Sequence, residues 1–273
     1  MRQLAGALPF SMNSHAQQQQ SADESAHSKA LTREFFGTLL LVFCGCATVA
    51  VDVITGGQVG LPAVAATWGL AVTAGVLLTG AHLNPAVTIS LAAWHGFPWR
   101  RVVPYVAAQL AGAFVGAALV YALFAGALVR HEHRHGIVRS QPGSEASAKV
   151  FGEFFTVPAA TACGVEAAAT AALVLVVMTT ARIRSRTVVA ACIGLTVAVL
   201  IYLVGPLTMA CFNPARDLGP RLFSALAGWG AVPFQANGIG WFTVYVLAPV
   251  VGGLLGGGFW RLAWDASGRK GIQ

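Results

Sequence analysis

Two copies of one tripeptide have the clearest chemical potential in this sequence: Asn84-Pro85-Ala86 and Asn213-Pro214-Ala215. Asn is a good N-cap, and Pro is favoured at the first helical position because its missing N–H would be unpaired there anyway. Each triplet is therefore predicted to begin a helix, whose N-terminus carries partial positive charge. We expect the Asn amides to donate hydrogen bonds into a lumen. The carbonyls of residues 81–83 and 210–212, which precede the helices, are expected to be left free to accept hydrogen bonds. The triplets thus predict the polar edge of a pore.

The elements that must position these triplets are membrane-spanning helices. The 273-residue chain is 56% hydrophobic and 10% charged, whereas about a quarter of the residues in soluble domains are charged. Six apolar runs have roughly the 17–25 residues that cross a bilayer as a helix. They cover residues 33–53, 62–80, 102–127, 157–181, 187–207 and 240–262. The sequence therefore predicts an all-α integral membrane protein with six transmembrane helices.

The segments after the triplets, residues 85–94 and 214–224, are apolar but too short to span. At ~1.5 Å per residue, each reaches roughly 15 Å, half of a ~30 Å hydrocarbon core. Placed end to end from opposite sides of the membrane, the two would make one full crossing. Non-helical backbone at that depth is tolerated only where it is buried in protein or lines a water-filled cavity. We therefore predict two re-entrant half-helices that meet in a pore.

The chain also reads as two related halves, about 30–127 and 157–263. Each half begins with a span that contains an acidic residue near its start, Glu34 in the first and Glu166 in the second. Three spans in each half require opposite orientations, so the halves form an inverted repeat. Such repeats place the functional site near the bilayer midplane. The channel domain is predicted to cover residues 29–265.

The net charge of +7 is best explained by the orientation of the chain in the membrane. Basic residues gather on the loops and flanks that six spans would put on one side of the membrane, which the positive-inside rule makes cytoplasmic. We therefore expect both termini to be cytoplasmic, in a multi-pass protein of the cell membrane (plasma or inner), without a nucleic-acid partner. Residues 1–28 are polar and rich in Gln and Ser, which predicts a disordered cytoplasmic tail. Residues 266–273 are expected to form a second cytoplasmic tail.

The stretches Gly80-Ala81-His82-Leu83-Asn84-Pro85-Ala86-Val87-Thr88 and Asn213-Pro214-Ala215-Arg216-Asp217-Leu218-Gly219-Pro220-Arg221 resemble the major intrinsic proteins, the aquaporin and glycerol-facilitator family. The resemblance covers residues 30–263. It implies a homotetramer with one pore in each subunit. It also implies that Glu34 and Glu166 hold the re-entrant loops through hydrogen bonds. His82, within the first of these loops, is expected to fix the loop's shape.

The same resemblance implies a selectivity filter. Arg216 matches the family's selectivity arginine, and Ile201 and Ala210 match two further positions of the constriction. For the fourth position two candidates stay open. Trp68-Gly69-Leu70 has the expected sequence but lies 16 positions before Asn84, whereas the family's usual 20 positions lead to Val64.

The residues after Arg216 favour a small polyol as the solute. In the family, an acidic residue directly after the arginine is typical of glycerol facilitators, and Asp217 fits. Arg221 accompanies it, and the two lie four apart on a helix, where they can pair. In the sixth span, Tyr245 resembles water channels and Val246 resembles glycerol facilitators. The predicted function is a passive channel for glycerol and small polyols, with some water, that excludes ions and protons.

Three alternatives remain beside this prediction: a mainly water-selective channel, a channel for uncharged metalloid acids, and an ion-coupled secondary transporter. Inverted repeats and broken helices also serve transporters, but the carboxylates in the spans lie near span starts or ends. No catalytic site, cofactor or metal site is predicted. The histidines of the alternating run His131, His133 and His135 are expected on an exposed loop, with a metal site or a pH sensor as the alternative.

Overall fold

The computed structural model describes residues 10–267, all of whose regular elements are helical. The helices are α1 (Phe10–Ile54), α2 (Gly60–Thr79), α3 (Pro85–Trp94), α4 (Val102–His135), α5 (Glu145–Ala148), α6 (Ala159–Thr180), α7 (Arg186–Thr208), α8 (Pro214–Ser224), α9 (Val232–Gln235), α10 (Gly240–Phe242) and α11 (Ala248–Ala266). A 3₁₀ turn covers Trp99–Arg101, and π-helical turns cover Ala225–Trp229 and Thr243–Leu247.

Six helical stretches are long and apolar enough to cross a membrane, as the sequence predicts. They are Asp23–Ile54, Gly60–Thr79, Trp99–His135, Ala159–Thr180, Arg186–Thr208 and Gly240–Ala266. The last of these combines α10, the second π turn and α11. Between the spans lie α3, with 10 residues, and α8, with 11 residues, both too short to cross alone. The predicted fold of six spans and two half-helices is confirmed.

Equivalent helices of the two halves pack in the same way, α1 against α4 and α6 against α11. Close approach at both contacts depends on glycines four residues apart, the small-xxx-small pattern of membrane helix pairs. A Cβ added at Gly112 on α4 would lie 2.2 Å from the Phe35 carbonyl oxygen, and one at Gly252 on α11 would lie 2.0 Å from that of Ala167. Helices α2 and α7 join the halves.

The N-terminal segment corrects the sequence prediction. Residues 10–28, expected to be disordered, are helical and continuous with the first span. These residues contain neither Gly nor Pro, and they extend a helix that is already nucleated, so each adds a hydrogen bond without the cost of a new nucleus. Asp23 ties this extension to the start of α4 through Arg101, at 2.7 Å. Residues 1–9 and 268–273, the remainder of the expected tails, lie outside the described residues.

The histidine run is also placed differently from the prediction. His131, His133 and His135 lie on the last turns of α4, which ends where Gly136 adopts a left-handed φ of 65°. His131 is buried, with 7% of its surface exposed, and its ring lies 4.2 Å from that of His135. The expectation of a loop is therefore wrong, because the helix continues well past the apolar run, whereas His133 and His135 are exposed as expected.

Candidate pore and selectivity filter

A buried carboxylate holds the first re-entrant loop. Glu34 on α1 accepts hydrogen bonds from the backbone N–H groups of His82 and Leu83, at 2.7 and 3.0 Å. Gln109 on α4 donates a third bond to it, at 2.8 Å. The His82 ring lies 3.1 Å from the Thr88 hydroxyl on α3, which ties the loop to its own half-helix. Backbone N–H groups that would otherwise be unpaired inside the membrane are thereby satisfied.

The second loop has an equivalent support. Glu166 on α6 accepts from the N–H groups of Cys211 and Phe212, at 2.9 and 2.8 Å, and from the Thr208 hydroxyl, at 2.6 Å. Glu34 and Glu166 are both almost fully buried. The two carboxylates therefore make the same pattern of bonds, two to a loop backbone and one to a side chain.

The two Asn residues cap their half-helices and also join them. The Asn84 side-chain oxygen accepts from the Ala86 N–H, and that of Asn213 accepts from the Ala215 and Arg216 N–H groups. Each amide nitrogen crosses to the other loop: Asn84 donates to the Phe212 carbonyl and Asn213 to the Leu83 carbonyl, both at 2.8 Å.

These cross-bonds correct part of the sequence prediction. The carbonyls of residues 83 and 212, expected to be free, accept the Asn amides. Leu83 and Phe212 adopt left-handed φ values of 60° and 54°, a conformation that non-glycine residues seldom take and that is typical of constrained functional sites. Because an amide has two N–H donors, each Asn retains one for a solute.

A long pore cavity runs past both Asn residues. One side is polar, with His82, Asn84, Asn213 and Arg216. The remaining lining is mostly aliphatic and aromatic, and it includes Leu41, Trp68, Val72, Val76, Val87, Leu91, Leu173, Val177, Ile193, Val197, Ile201, Ala210 and Phe212. The cavity lining therefore combines a few polar groups with a mostly apolar surface.

A second cavity, here called the vestibule, lies beyond the first and includes Asp52, Lys149 and Glu153 in its wall. Trp68, Ile201 and Arg216 line both cavities, so these three residues lie where the two cavities meet. The Arg216 guanidinium carbon lies 4.1 Å from the centre of the Trp68 ring. Ala210 lines the pore cavity beside them.

The choice between Trp68 and Val64 can be made from this geometry. Val64 lines the vestibule, whereas Trp68 lines both cavities and faces Arg216. Helix α2 ends at Thr79, and Gly80 turns the chain directly into the loop. Of the two candidates, Trp68 is therefore the one that lines both cavities and contacts Arg216.

Asp217 and Arg221 form a bidentate ion pair, with both nitrogen–oxygen distances at 2.7 Å. Both side chains are almost fully buried, and neither lines the pore cavity or the vestibule. Arg221 also donates to the carbonyls of Glu153 and Pro233, while Asp217 accepts from the Glu153 N–H at 2.8 Å. Their direct contacts are therefore with surrounding loops.

The sixth-span residues are also set back from the lumen. Tyr245 is fully buried, and its hydroxyl donates a hydrogen bond to the carbonyl of Thr208 at 2.9 Å. Thr208 is the last residue of α7, directly before the second loop. Val246 is half-buried. Neither residue lines the two cavities, so any effect on the solute acts through the loop.

Sequence reasoning missed Glu153, which forms an ion pair with Arg216. From the sequence it is one of two acidic residues in the segment between α4 and α6, the other being Glu145. A signal was present: Glu153 is a single charge among apolar residues, in Val150-Phe151-Gly152-Glu153-Phe154-Phe155. A charge in such a stretch tends to be paired, since an isolated buried charge is costly.

Comparison with known proteins gives a consistent result. The family model described as major intrinsic protein matches residues 21–260. The glycerol uptake facilitator protein of Pseudomonas aeruginosa is 39% identical over 240 residues, covering 84% of this chain and 86% of that protein. A propanediol uptake facilitator of Citrobacter freundii is 38% identical over 243 residues, covering 84% and 89%. The solved aquaglyceroporin from Plasmodium falciparum superposes with a TM-score of 0.76 at 28% identity, covering 86% and 96%.

Proposed function

This chain belongs to the major intrinsic protein family, and from that premise we propose how its pore conducts glycerol and other small uncharged solutes. The chain is a passive channel for such solutes. The observation that supports the choice of solute is the constriction, where Arg216 faces Trp68 and Ile201 lines the same passage. A polyol has carbon on one side and hydroxyls on the other, and it matches that division.

At the constriction, the guanidinium of Arg216 donates hydrogen bonds to a permeant hydroxyl, while Trp68 and Ile201 contact the carbon backbone. Ala210, being small, leaves room beside the arginine. Water-selective members of the family have a histidine at the position of Ile201. A histidine there would narrow the passage and add a polar group. The aliphatic Ile201 therefore favours glycerol over a strictly water-selective pore.

At the meeting point of the two half-helices, Asn84 and Asn213 each offer an amide N–H to the solute. Two helix N-termini with partial positive charge face this point, so a cation there is repelled from both sides. Half-helix dipoles and an arginine are the recognised means by which pores of this type exclude protons and cations. We infer that ion exclusion combines this region with Arg216.

Transport is passive. A coupled transporter needs a titratable group that is free to bind and release a proton, or an ion site in the pathway. Glu34 and Glu166 are fully engaged by loop N–H groups and side-chain donors. Asp52, at the end of the first span, accepts from the Gly60 N–H at 2.9 Å. These contacts suit a structural role for the three carboxylates of the spans, and Glu153 in the vestibule wall is held in an ion pair with Arg216.

We also propose a homotetramer in the plasma or inner membrane, with both termini cytoplasmic. An even number of spans puts the termini on the same side, and the basic loops mark that side as cytoplasmic. Large apolar side chains are exposed along the spans, among them Leu70, Leu78, Val103, Leu203 and Leu255. Such surfaces suit lipid and neighbouring subunits.

The test is stopped-flow light scattering of proteoliposomes with glycerol, 1,2-propanediol, urea, an uncharged metalloid acid and water. We expect glycerol flux well above that of protein-free liposomes and no accumulation under a proton or sodium gradient. High water flux with glycerol at the lipid background would refute the glycerol assignment, and uphill accumulation would refute passive transport. Metalloid flux far above glycerol flux would make metalloid acids the better description.

A further inference from the structure

Glu153 occupies a position in the vestibule that nothing in the family resemblance assigns. Its side chain lines the vestibule and forms an ion pair with Arg216, and the exposed fractions of the two side chains are 4% and 7%. Burying a charge is unfavourable unless it is paired. The ion pair with Glu153 therefore offsets the cost of burying the Arg216 guanidinium.

The backbone of Glu153 is clamped from two sides. Its N–H donates to Asp217, and its carbonyl accepts from Arg221. The preceding Gly152 permits this approach, because a Cβ at that position would lie 3.2 Å from the guanidinium carbon of Arg221. The buried Asp217–Arg221 pair thus fixes the loop residue whose side chain faces the filter arginine.

One carboxylate oxygen of Glu153 is left without a hydrogen bond. Oε2 is buried and has no partner among the described residues, whereas Oε1 contacts Arg216. Buried polar atoms in folded proteins nearly always have a partner, and an unpaired one calls for an explanation such as water or a bound ligand. Because Glu153 belongs to the vestibule wall, a rotation of its carboxylate presents Oε2 to the solute pathway, where a permeant hydroxyl is a suitable donor.

We propose that Glu153 is a selectivity residue of this channel, the hydrogen-bond acceptor that complements the donor Arg216. Each polyol hydroxyl is both donor and acceptor, so one hydroxyl donates to Glu153 while a neighbouring one accepts from Arg216. Asp217 and Arg221 are positioning residues that act through the Glu153 backbone. The inference rests on the proposed conduction of glycerol and adds the chemical basis for preferring vicinal hydroxyls.

The test compares Glu153→Gln with Glu145→Gln in proteoliposomes. Glu145 is a matched control, since it lies in the same loop and accepts from the Gly143 N–H but does not line the vestibule. Gln keeps one acceptor oxygen but not the negative charge. We therefore expect E153Q to lower the ratio of glycerol to water permeability about three- to tenfold, the difference between a hydrogen bond to a charged acceptor and one to a neutral acceptor, and E145Q to leave it unchanged. Loss of glycerol flux with water flux retained separates this effect from misfolding.

An unchanged glycerol-to-water ratio in E153Q would overturn the proposal while leaving glycerol conduction intact. If wild-type glycerol flux were itself at the lipid background, the proposed function would fail instead. A second measurement does not depend on a variant: crystals of the wild-type channel soaked in glycerol should show a hydroxyl within hydrogen-bond distance of Oε2. Water alone at Oε2, with glycerol elsewhere in the vestibule, would overturn the proposal.

Discussion

The first re-entrant loop, residues 80–94, and the second, residues 209–224, share an anchoring carboxylate, an Asn cap and a half-helix. The two half-helices differ in charge. Helix α3 contains no charged residue, whereas α8 contains Arg216, Asp217 and Arg221. The first loop contacts its own repeat through Thr88 and Gln109. In the second, Arg221 donates hydrogen bonds to the carbonyl of Glu153, in the segment before α6, and to that of Pro233 in α9.

This difference separates architecture from selection. Half-helix formation needs an N-cap, a proline at the first position and a satisfied loop backbone, and both loops have these features. The proposed selection needs a fixed charge beside the lumen, and α8 supplies it in Arg216. Of the four residues that we propose for the constriction, Ile201, Ala210 and Arg216 belong to the second repeat and Trp68 belongs to the first.

The largest expected effect comes from removing the anchors. Glu34→Ala and Glu166→Ala each leave two buried backbone N–H groups without acceptors, at about 1–3 kcal/mol for each group. We expect both variants to lose the folded channel, measured as the yield of monodisperse protein in detergent and its thermal unfolding. Because the two carboxylates make equivalent bonds, the losses should be similar. Near wild-type stability for one variant would show that the loops are not equivalently supported.

The next effect tests the charges. Arg216→Val removes the guanidinium from the constriction, so the flux of a four-carbon polyol or a small organic cation, relative to glycerol, should rise about tenfold, equivalent to ~1.4 kcal/mol in the barrier. Val87, three positions after Asn84 as Arg216 is after Asn213, provides the matched control. Val87→Ala should change the same ratio much less. Equal effects at both positions would contradict the assignment of selection to the second loop.

The smallest effect tests the contribution of the first repeat to the filter. Trp68→Ala opens the apolar side of the constriction and should raise the flux of the four-carbon polyol relative to glycerol about threefold. Val64→Ala, one turn earlier and lining the vestibule, should leave the ratio near the wild-type value. Solute flux in proteoliposomes measures both. The reverse order would place Val64 at the constriction.

Much of the fold can be predicted from local sequence. The six spans and both half-helices, including their starts at residues 85 and 214, agree with the structure. Spans are determined by the length of apolar runs, and half-helix starts by capping chemistry within four residues. The error at residues 10–28 has a related cause: composition describes an isolated segment, whereas here the segment extends a helix stabilised elsewhere.

The sequence by itself determined the two triplets, the half-helices they begin and the Asp217–Arg221 pair, because each depends on residues within one or two helical turns. The tertiary structure decided which residues meet across the lumen. In the folded chain each Asn amide donates a hydrogen bond to the opposite re-entrant loop. Trp68 lies opposite Arg216, and Glu153 forms an ion pair with the same arginine. These contacts join residues from about 60 to about 150 positions apart. Their geometry is set by helix packing across the inverted repeat, which no local pattern specifies.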